Sequence, residues 1–276
     1  MLVKDENKLI LSFSRFCAID ERFTKRVSKD YKNIASRFLK HTNWKISKET
    51  IRAYLFSYLK KKPRTYNNQL SALRVFIGRF LQRTDLIDGF RKAHEGNNDY
   101  EIELPNKAQI KIGFEGLTDG KEKAIYLFYA STGLRRTEVL RLNRFEDIDV
   151  KLRMVTSKHN TRTKKAGITF YNRECEKILK EYLDSRKDTS KRLFRISDKQ
   201  FRQIWKKASK NAQKRITPQV LRKWQSTELG ELGVPDRYVD IFQGRAPRSV
   251  LAKHYTGKGL ERLKRIYDKA ELKILS

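Results

Sequence analysis

From Leu9 to about Arg83, apolar side chains recur at the period of an amphipathic helix, in four blocks parted by polar breaks. Leu9, Phe13, Phe16 and Cys17 mark the first block, and Val27, Tyr31, Ile34, Phe38 and Leu39 the second. Ile51, Leu55 and Leu59 mark the third, which Ser47 opens as an N-cap. Pro63 starts the fourth, with Leu70, Leu73, Phe76, Ile77, Phe80 and Leu81 facing inward and Arg64, Arg74, Arg79 and Arg83 outward. Such a pattern folds as a small four-helix unit with a basic exterior.

Between about Thr84 and Asn106 the period dissolves into a polar stretch with Gly89, Gly96 and Pro105, and 276 residues suit about two domains. The expected division is a helical unit over 1–90, a linker over 91–106 and a second domain over 107–276. In the second domain, Ala124 to Ser131 predicts a buried helix stopped by Gly133, followed by a short helix carrying Thr137 to Leu140. Ile148 to Thr156 and Ile168 to Tyr171 alternate as strands do, and SKHNTRTKKAG between them predicts a hairpin tip. From Arg173 onward only helices are expected, near 173–185, 197–210, 218–229, 235–243, 248–256 and 259–274. The fold class is therefore mainly α with a small β-hairpin or sheet.

Charge narrows the partner. Lys and Arg number 63 against 32 Asp and Glu, a formal net charge of +31, and both halves of the chain share the excess. A polyanion is the default partner of such a chain, since a merely soluble surface usually carries matching acids. No apolar run approaches the roughly 20 residues that span a bilayer, and acids interrupt the N-terminus where a signal peptide would be apolar. No membrane association is expected, and the cytoplasm is the expected compartment. Cys17 and Cys175 lie in apolar stripes and are expected as reduced core residues. Four histidines form no cluster at metal spacing, so neither metal nor other cofactor is expected.

An enzyme that cuts DNA without a metal must hold the phosphate, supply a nucleophile and protonate the leaving oxygen with side chains alone. Guanidinium groups stay charged and match phosphate oxygens in pairs. The segment Ser131-Thr-Gly-Leu-Arg-Arg-Thr-Glu-Val-Leu-Arg-Leu142 resembles the TGLRxxE box of the tyrosine recombinase, or phage integrase, family. Thr217-Pro-Gln-Val-Leu-Arg222 is similar to that family's TPHxLRH box, and Gln243-Gly-Arg245 followed by His254-Tyr-Thr256 resembles its LGH segment and nucleophile tyrosine. Three boxes in the family's order make the likeness specific where each alone is weak.

The resemblance implies an N-terminal four-helix core-binding (SAM-like) domain that clamps DNA and a C-terminal α+β catalytic domain. It implies that Arg135 and Arg222 clamp the phosphate, that Glu138 supports Arg135, and that Tyr255 is the nucleophile. Two positions depart from the pattern. Gln219 stands where the family has histidine and can donate a hydrogen bond but cannot shuttle a proton. Arg245 stands where His or Trp is usual and adds a fixed positive charge. The combination looks like integrases of archaeal viruses and plasmids. Lys158 matches the family's hairpin lysine and is the expected general acid, its pKa depressed by neighbouring arginines; a solvated basic tip is the alternative. The neighbours of Tyr255, which are Lys253, His254, Thr256, Gly257 and Lys258, are polar and unsuited to a core, and nearby cations ease the ionisation of a phenol. Arg64, Arg74, Arg79, Lys164, Lys165 and Lys223 are the expected contacts to double-stranded DNA.

Taken together, these expectations describe a site-specific recombinase working through a 3′-phosphotyrosyl intermediate and a Holliday junction. It would be a monomer or weak dimer alone and a homo-tetramer on DNA, with an oligomerisation helix near 259–274 that either folds back onto its own domain, as in a monomer, or docks on a neighbouring subunit. A type IB topoisomerase, and a catalytically silent integrase-derived DNA-binding protein, are the two rival readings.

Overall fold

Ser47 and Pro63 open helices where their chemistry favours it. Ser47 and Thr50 exchange side-chain and backbone hydrogen bonds in a capping box, and Pro63 takes the first helical position, where its missing N–H costs nothing. The structure, a computed structural model, describes residues 6–94, 103–156, 167–245 and 259–276. It divides into two units, Met1–Tyr100 and Glu101–Ser276.

The first unit holds α1 (Glu6–Ile19), α2 (Lys25–His41), α3 (Lys48–Phe56) and α4 (Pro63–Leu73) around a core of Phe13, Cys17, Phe38, Leu39, Ile51, Leu55, Leu70 and Phe76. Phe13 meets Phe76 edge-on with ring centroids 4.9 Å apart. The fourth block does not remain α-helical: Arg74–Phe80 widens into a π-helix. The wider turn lets Val75, Phe76 and Ile77 all be buried in succession, which the narrower stripe of an α-helix does not favour. Arg74, expected to face outward, is half-buried and donates to the Phe90 carbonyl at 2.6 Å. Asn67 exchanges hydrogen bonds with the backbone of Ala93, and Ile87 is buried. The polar stretch beginning at Thr84 thus packs on the helical unit as far as residue 93.

In the second unit, α5 (Lys107–Glu115) opens with a capping box between Asn106 and Gln109 that the apolar pattern alone did not reveal. Next comes α6 (Gly120–Thr132), buried without a break from Ala124 to Thr132, so it is the central helix. It packs against α8 (Arg173–Asp184) and α10 (Pro218–Glu231). Between them lie α7 (Arg136–Val139) and the strands β1 (Ile148–Asp149), β2 (Met154–Thr156) and β3 (Ile168–Phe170). The stretch expected as one strand over 148–156 reverses at 150–153, where Arg153 adopts a φ of 50°. β1 then pairs antiparallel with β2, and β2 with β3, in the order β1-β2-β3. α9 (Asp198–Asn211), α11 (Asp236–Phe242) and α12 (Leu260–Lys269) complete the described elements.

α12 packs on its own unit, the course expected of it in a monomer. Leu263, Tyr267, Ala270, Leu272 and Ile274 are buried in this unit's own core, with Leu260 and Ile266 packed against it. The apolar stripe expected to meet a neighbouring subunit is covered within the chain. Glu174 holds the end of the chain by accepting the backbone N–H groups of Ile274 and Leu275 at 2.7 and 3.0 Å. Both cysteines are buried and free, and burial raises the thiol of Cys17 to about 11 and that of Cys175 to about 12. No helix among the described residues is long and apolar enough to cross a membrane. No group of three or more metal-ligating side chains occurs among them either.

Candidate active site

Gly133 ends α6 in the left-handed conformation, φ 61°, which frees the chain to turn before α7. Arg135 then caps α7. Its backbone N–H donates to Glu138 Oε2 at 2.7 Å, and its Nη1 donates to Glu138 Oε1 at 2.8 Å and to the Gly244 carbonyl at 3.4 Å. Glu138 is buried, so one carboxylate fixes both the backbone and the head group of Arg135.

Thr217 caps α10 by accepting from the Val220 N–H, and Pro218 fills its first position. One turn on, Arg222 points into the unit and is only 3% exposed. Its Nη1 donates to the Gly133 carbonyl at 2.5 Å and its Nη2 to the Gln243 carbonyl at 2.7 Å. Gly133 and Gln243 are the C-caps of α6 and α11. Two helix ends that carry partial negative charge therefore converge on this one cation and offset its loss of water. Burial, with Arg135 and Arg245 close by, still pushes Arg222 down to about 9, which leaves it charged at neutral pH.

Arg245 follows the end of α11 and is exposed, with Nη1 3.2 Å from Asp240 Oδ1. Gln219, at the second position of α10, is also exposed. Three guanidiniums thus share this corner with two carboxylates, Glu138 and Asp240, which leaves a local positive surplus suited to an anion. Lys223 lies exposed on the same helix. Gly167, the residue before β3, sits so near the end of α11 that a Cβ there would lie 2.8 Å from Gly244 Cα. The base of the hairpin is thereby held against the loop that carries Arg245.

Lys158, Lys164, Lys165 and Tyr255 lie outside the described residues, as does the helix expected over 248–256. In the first unit Arg64 is exposed, whereas Arg79 is paired with Glu21 at 2.6 Å.

The sequence profile of the phage integrase family matches residues 115–260, more than half of the chain. The chain belongs to the phage integrase family. The family match spans all the clustered residues just described and the four that lie outside the described segments. Solved structures with this fold include a lambda integrase dimer bound to a COC′ core site, 13% identical, with TM-score 0.67 over 92% of this chain and 78% of that one. XerH recombinase bound to its difH substrate in a pre-cleavage complex is 14% identical, with TM-score 0.62 over 94% and 81%. The Tn1549 transposon integrase in complex with transposon right end DNA is 16% identical, with TM-score 0.61 over 93% and 97%. At these identities the likeness is one of fold. No curated protein matches the chain in sequence.

Several contacts that shape this phage integrase site could not be read from the sequence. Gln225 and Gln243 are fully buried, and Thr169 Oγ1 and Tyr267 Oη donate to the Thr132 and Ser131 carbonyls at 3.1 and 2.8 Å. Gln225 left a signal of its own: it falls on the apolar face of α10 between Leu221 and Leu229, where a polar side chain needs a buried partner.

Proposed function

We propose that this chain is a site-specific recombinase whose Tyr255 attacks a DNA phosphate, forming a 3′-phosphotyrosyl bond and releasing a 5′ hydroxyl. Arg135, Arg222 and Arg245 hold the phosphate, Glu138 keeps Arg135 in place, Gln219 donates to a phosphate oxygen, and Lys158 protonates the leaving oxygen. The observation that carries this reading is the meeting of the three arginines at the ends of α6 and α11 with a positive surplus. Because the phosphotyrosyl ester retains the energy of the broken bond, a 5′ hydroxyl from another duplex can reverse the attack and complete the exchange, with no metal or nucleotide in the step.

Residues 1–90 serve as a DNA clamp tied by the 91–106 segment to a catalytic domain over 107–276. Exchange in two rounds passes through a Holliday junction held by a tetramer, the assembly in which lambda integrase has been solved on such a junction. Since α12 is packed in its own chain, we assign assembly to contacts made on DNA rather than to this helix. We read Gln219 and Arg245 together as a likeness to integrases of archaeal viruses and plasmids.

The test is a nicked suicide duplex followed by denaturing electrophoresis and peptide mapping. Wild-type protein should yield an adduct on Tyr255, and Tyr255→Phe should bind the duplex without one. An adduct that survives Tyr255→Phe would remove the assignment. Tight binding with no adduct from wild-type protein would favour a silent DNA-binding protein, and relaxation of one duplex without exchange between two would favour a topoisomerase.

A further inference from the structure

Gln225 on α10 and Gln243 at the end of α11 are both 0% exposed. Gln243 Nε2 donates to Gln225 Oε1 and to the Arg222 carbonyl, each at 2.7 Å. Gln225 Nε2 donates to the Ser131 carbonyl at 3.2 Å. The Gln243 carbonyl in turn accepts from Arg222 Nη2. These bonds join three segments: the last turn of α6, which leads through Gly133 to Arg135; the turn of α10 that bears Arg222; and the end of α11, which leads to Arg245.

Stability does not explain the pair. Gln243 Oε1 is buried and has no hydrogen-bond partner among the described residues, and an unmet buried acceptor is unfavourable. Leucine would bury no polar atom of its own there, and the acceptor it leaves without a donor, Gln225 Oε1, takes the place of the unmet Gln243 Oε1. The amides also press on the turn before Arg135: a Cβ on Gly133 would lie 2.4 Å from Gln225 Oε1 and 3.1 Å from Gln243 Nε2. A neutral relay can fix these distances without adding a carboxylate that would cancel the surplus positive charge.

We propose that Gln225 and Gln243 are positioning residues, an amide relay that sets the spacing of Arg135, Arg222 and Arg245; this rests on reading those arginines as the phosphate clamp. Misplacing a group by about 1 Å in a transition state can cost on the order of 100-fold in rate. Gln243→Leu and Gln225→Leu should therefore each slow single-turnover cleavage of the suicide duplex by about 10- to 100-fold at saturating DNA. The affinity for DNA should hold and the melting temperature should change little, because one unmet acceptor replaces another in Gln243→Leu and the Ser131 carbonyl keeps its Tyr267 donor in Gln225→Leu. Since the two amides act as one unit, the double variant should be no slower than the slower single variant.

A folded Gln243→Leu that cleaves at the wild-type rate overturns the relay, and so does a rate that falls only in step with the melting temperature. A second readout needs no chemistry. Exchange of the Arg222 guanidinium protons, followed by NMR, should be at least about 10-fold faster in Gln243→Leu than in wild type at equal global stability. Equal protection in the two proteins sinks the relay whether or not wild-type protein forms an adduct. Failure of the tyrosine reading and failure of the relay are therefore told apart.

Discussion

Arg222 is a cation almost wholly enclosed by protein, and what makes that tolerable is the pair of helix-end carbonyls at 2.5 and 2.7 Å from its two Nη groups. Lysine cannot reproduce this. Its ammonium is a point charge on a flexible stem and cannot span both carbonyls in one plane. In Arg222→Lys one buried carbonyl loses its donor, which should destabilise the second unit by about 1–3 kcal/mol, read as a lower urea midpoint at unchanged slope. Cleavage should fall by at least about 100-fold, in line with loss of a fixed donor to the reacting group. A variant as stable as wild type would show that the two carbonyls do not depend on the guanidinium. Arg135, Glu138 and Arg222 were singled out because their segments resemble family boxes; the Gly133 stop and the Thr217-Pro218 helix start alone mark only the ends of helices. Gln243 lay in the segment resembling the LGH box and Gln225 on an apolar helix face, but only tertiary packing decides that these amides are enclosed and that they meet.

Elements were legible where local chemistry marks their ends and obscure where packing overrides it. Alternation over 148–156 signals extended chain but does not show the reversal at 150–153, and apolar spacing over 63–83 does not show the π-helix that buries three successive side chains. The loop after α8 shows packing of another kind. Arg186 grips Asp188 through two bonds of 3.0 and 2.7 Å and also donates to the carbonyls of Ser190, Arg192 and Leu193. The hydrogen bonds from Arg186, foremost, hold Asp188 down at about 2 against an ordinary 3.8. A depressed folded value means the clasp contributes fully above the unfolded value and is lost as pH falls through the folded one. The Asp188 carboxyl, followed by NMR, should thus remain ionised at pH 3.5 (about 0.3 below the ordinary value) and titrate near 2; a midpoint near 3.8 would mean the clasp is open in solution. α12 yields a firmer expectation. Truncation after Gly259 removes Leu263, Tyr267, Leu272 and Ile274 from the core, along with the Tyr267 bond to the Ser131 carbonyl. Loss of one large core side chain costs about 2–5 kcal/mol, so the truncated chain should lose the cooperative melting transition of its second unit. An unchanged transition would show that α12 is dispensable to the core and free to dock elsewhere.

At the level of the whole molecule, the governing quantity is the charge of +31, which no local motif explains. If the surplus lines a DNA surface, each phosphate it neutralises releases counterions, and the logarithm of affinity falls linearly with that of salt, by about 0.9 per phosphate. If it only solvates the surface, the dependence is shallow. For a chain with a basic excess in both halves, we expect a slope of about −5 or steeper, equivalent to six or so phosphates, measured by anisotropy on one duplex at several salt concentrations. The arginines of the first unit sharpen the test, because they are not equally free to contribute. Arg64 is exposed and has no ion-pair partner among the described residues, so Arg64→Ala should reduce the slope by about 1. Arg79 already faces Glu21 at 2.6 Å and is partly neutralised before DNA arrives, so Arg79→Ala should change the slope less. Arg74 is tied to the Phe90 carbonyl, and its loss should appear first in the stability of the helical unit. A slope shallower than about −3, or Arg64 and Arg79 variants with equal effect, would mean that the basic excess of this unit lies away from the DNA.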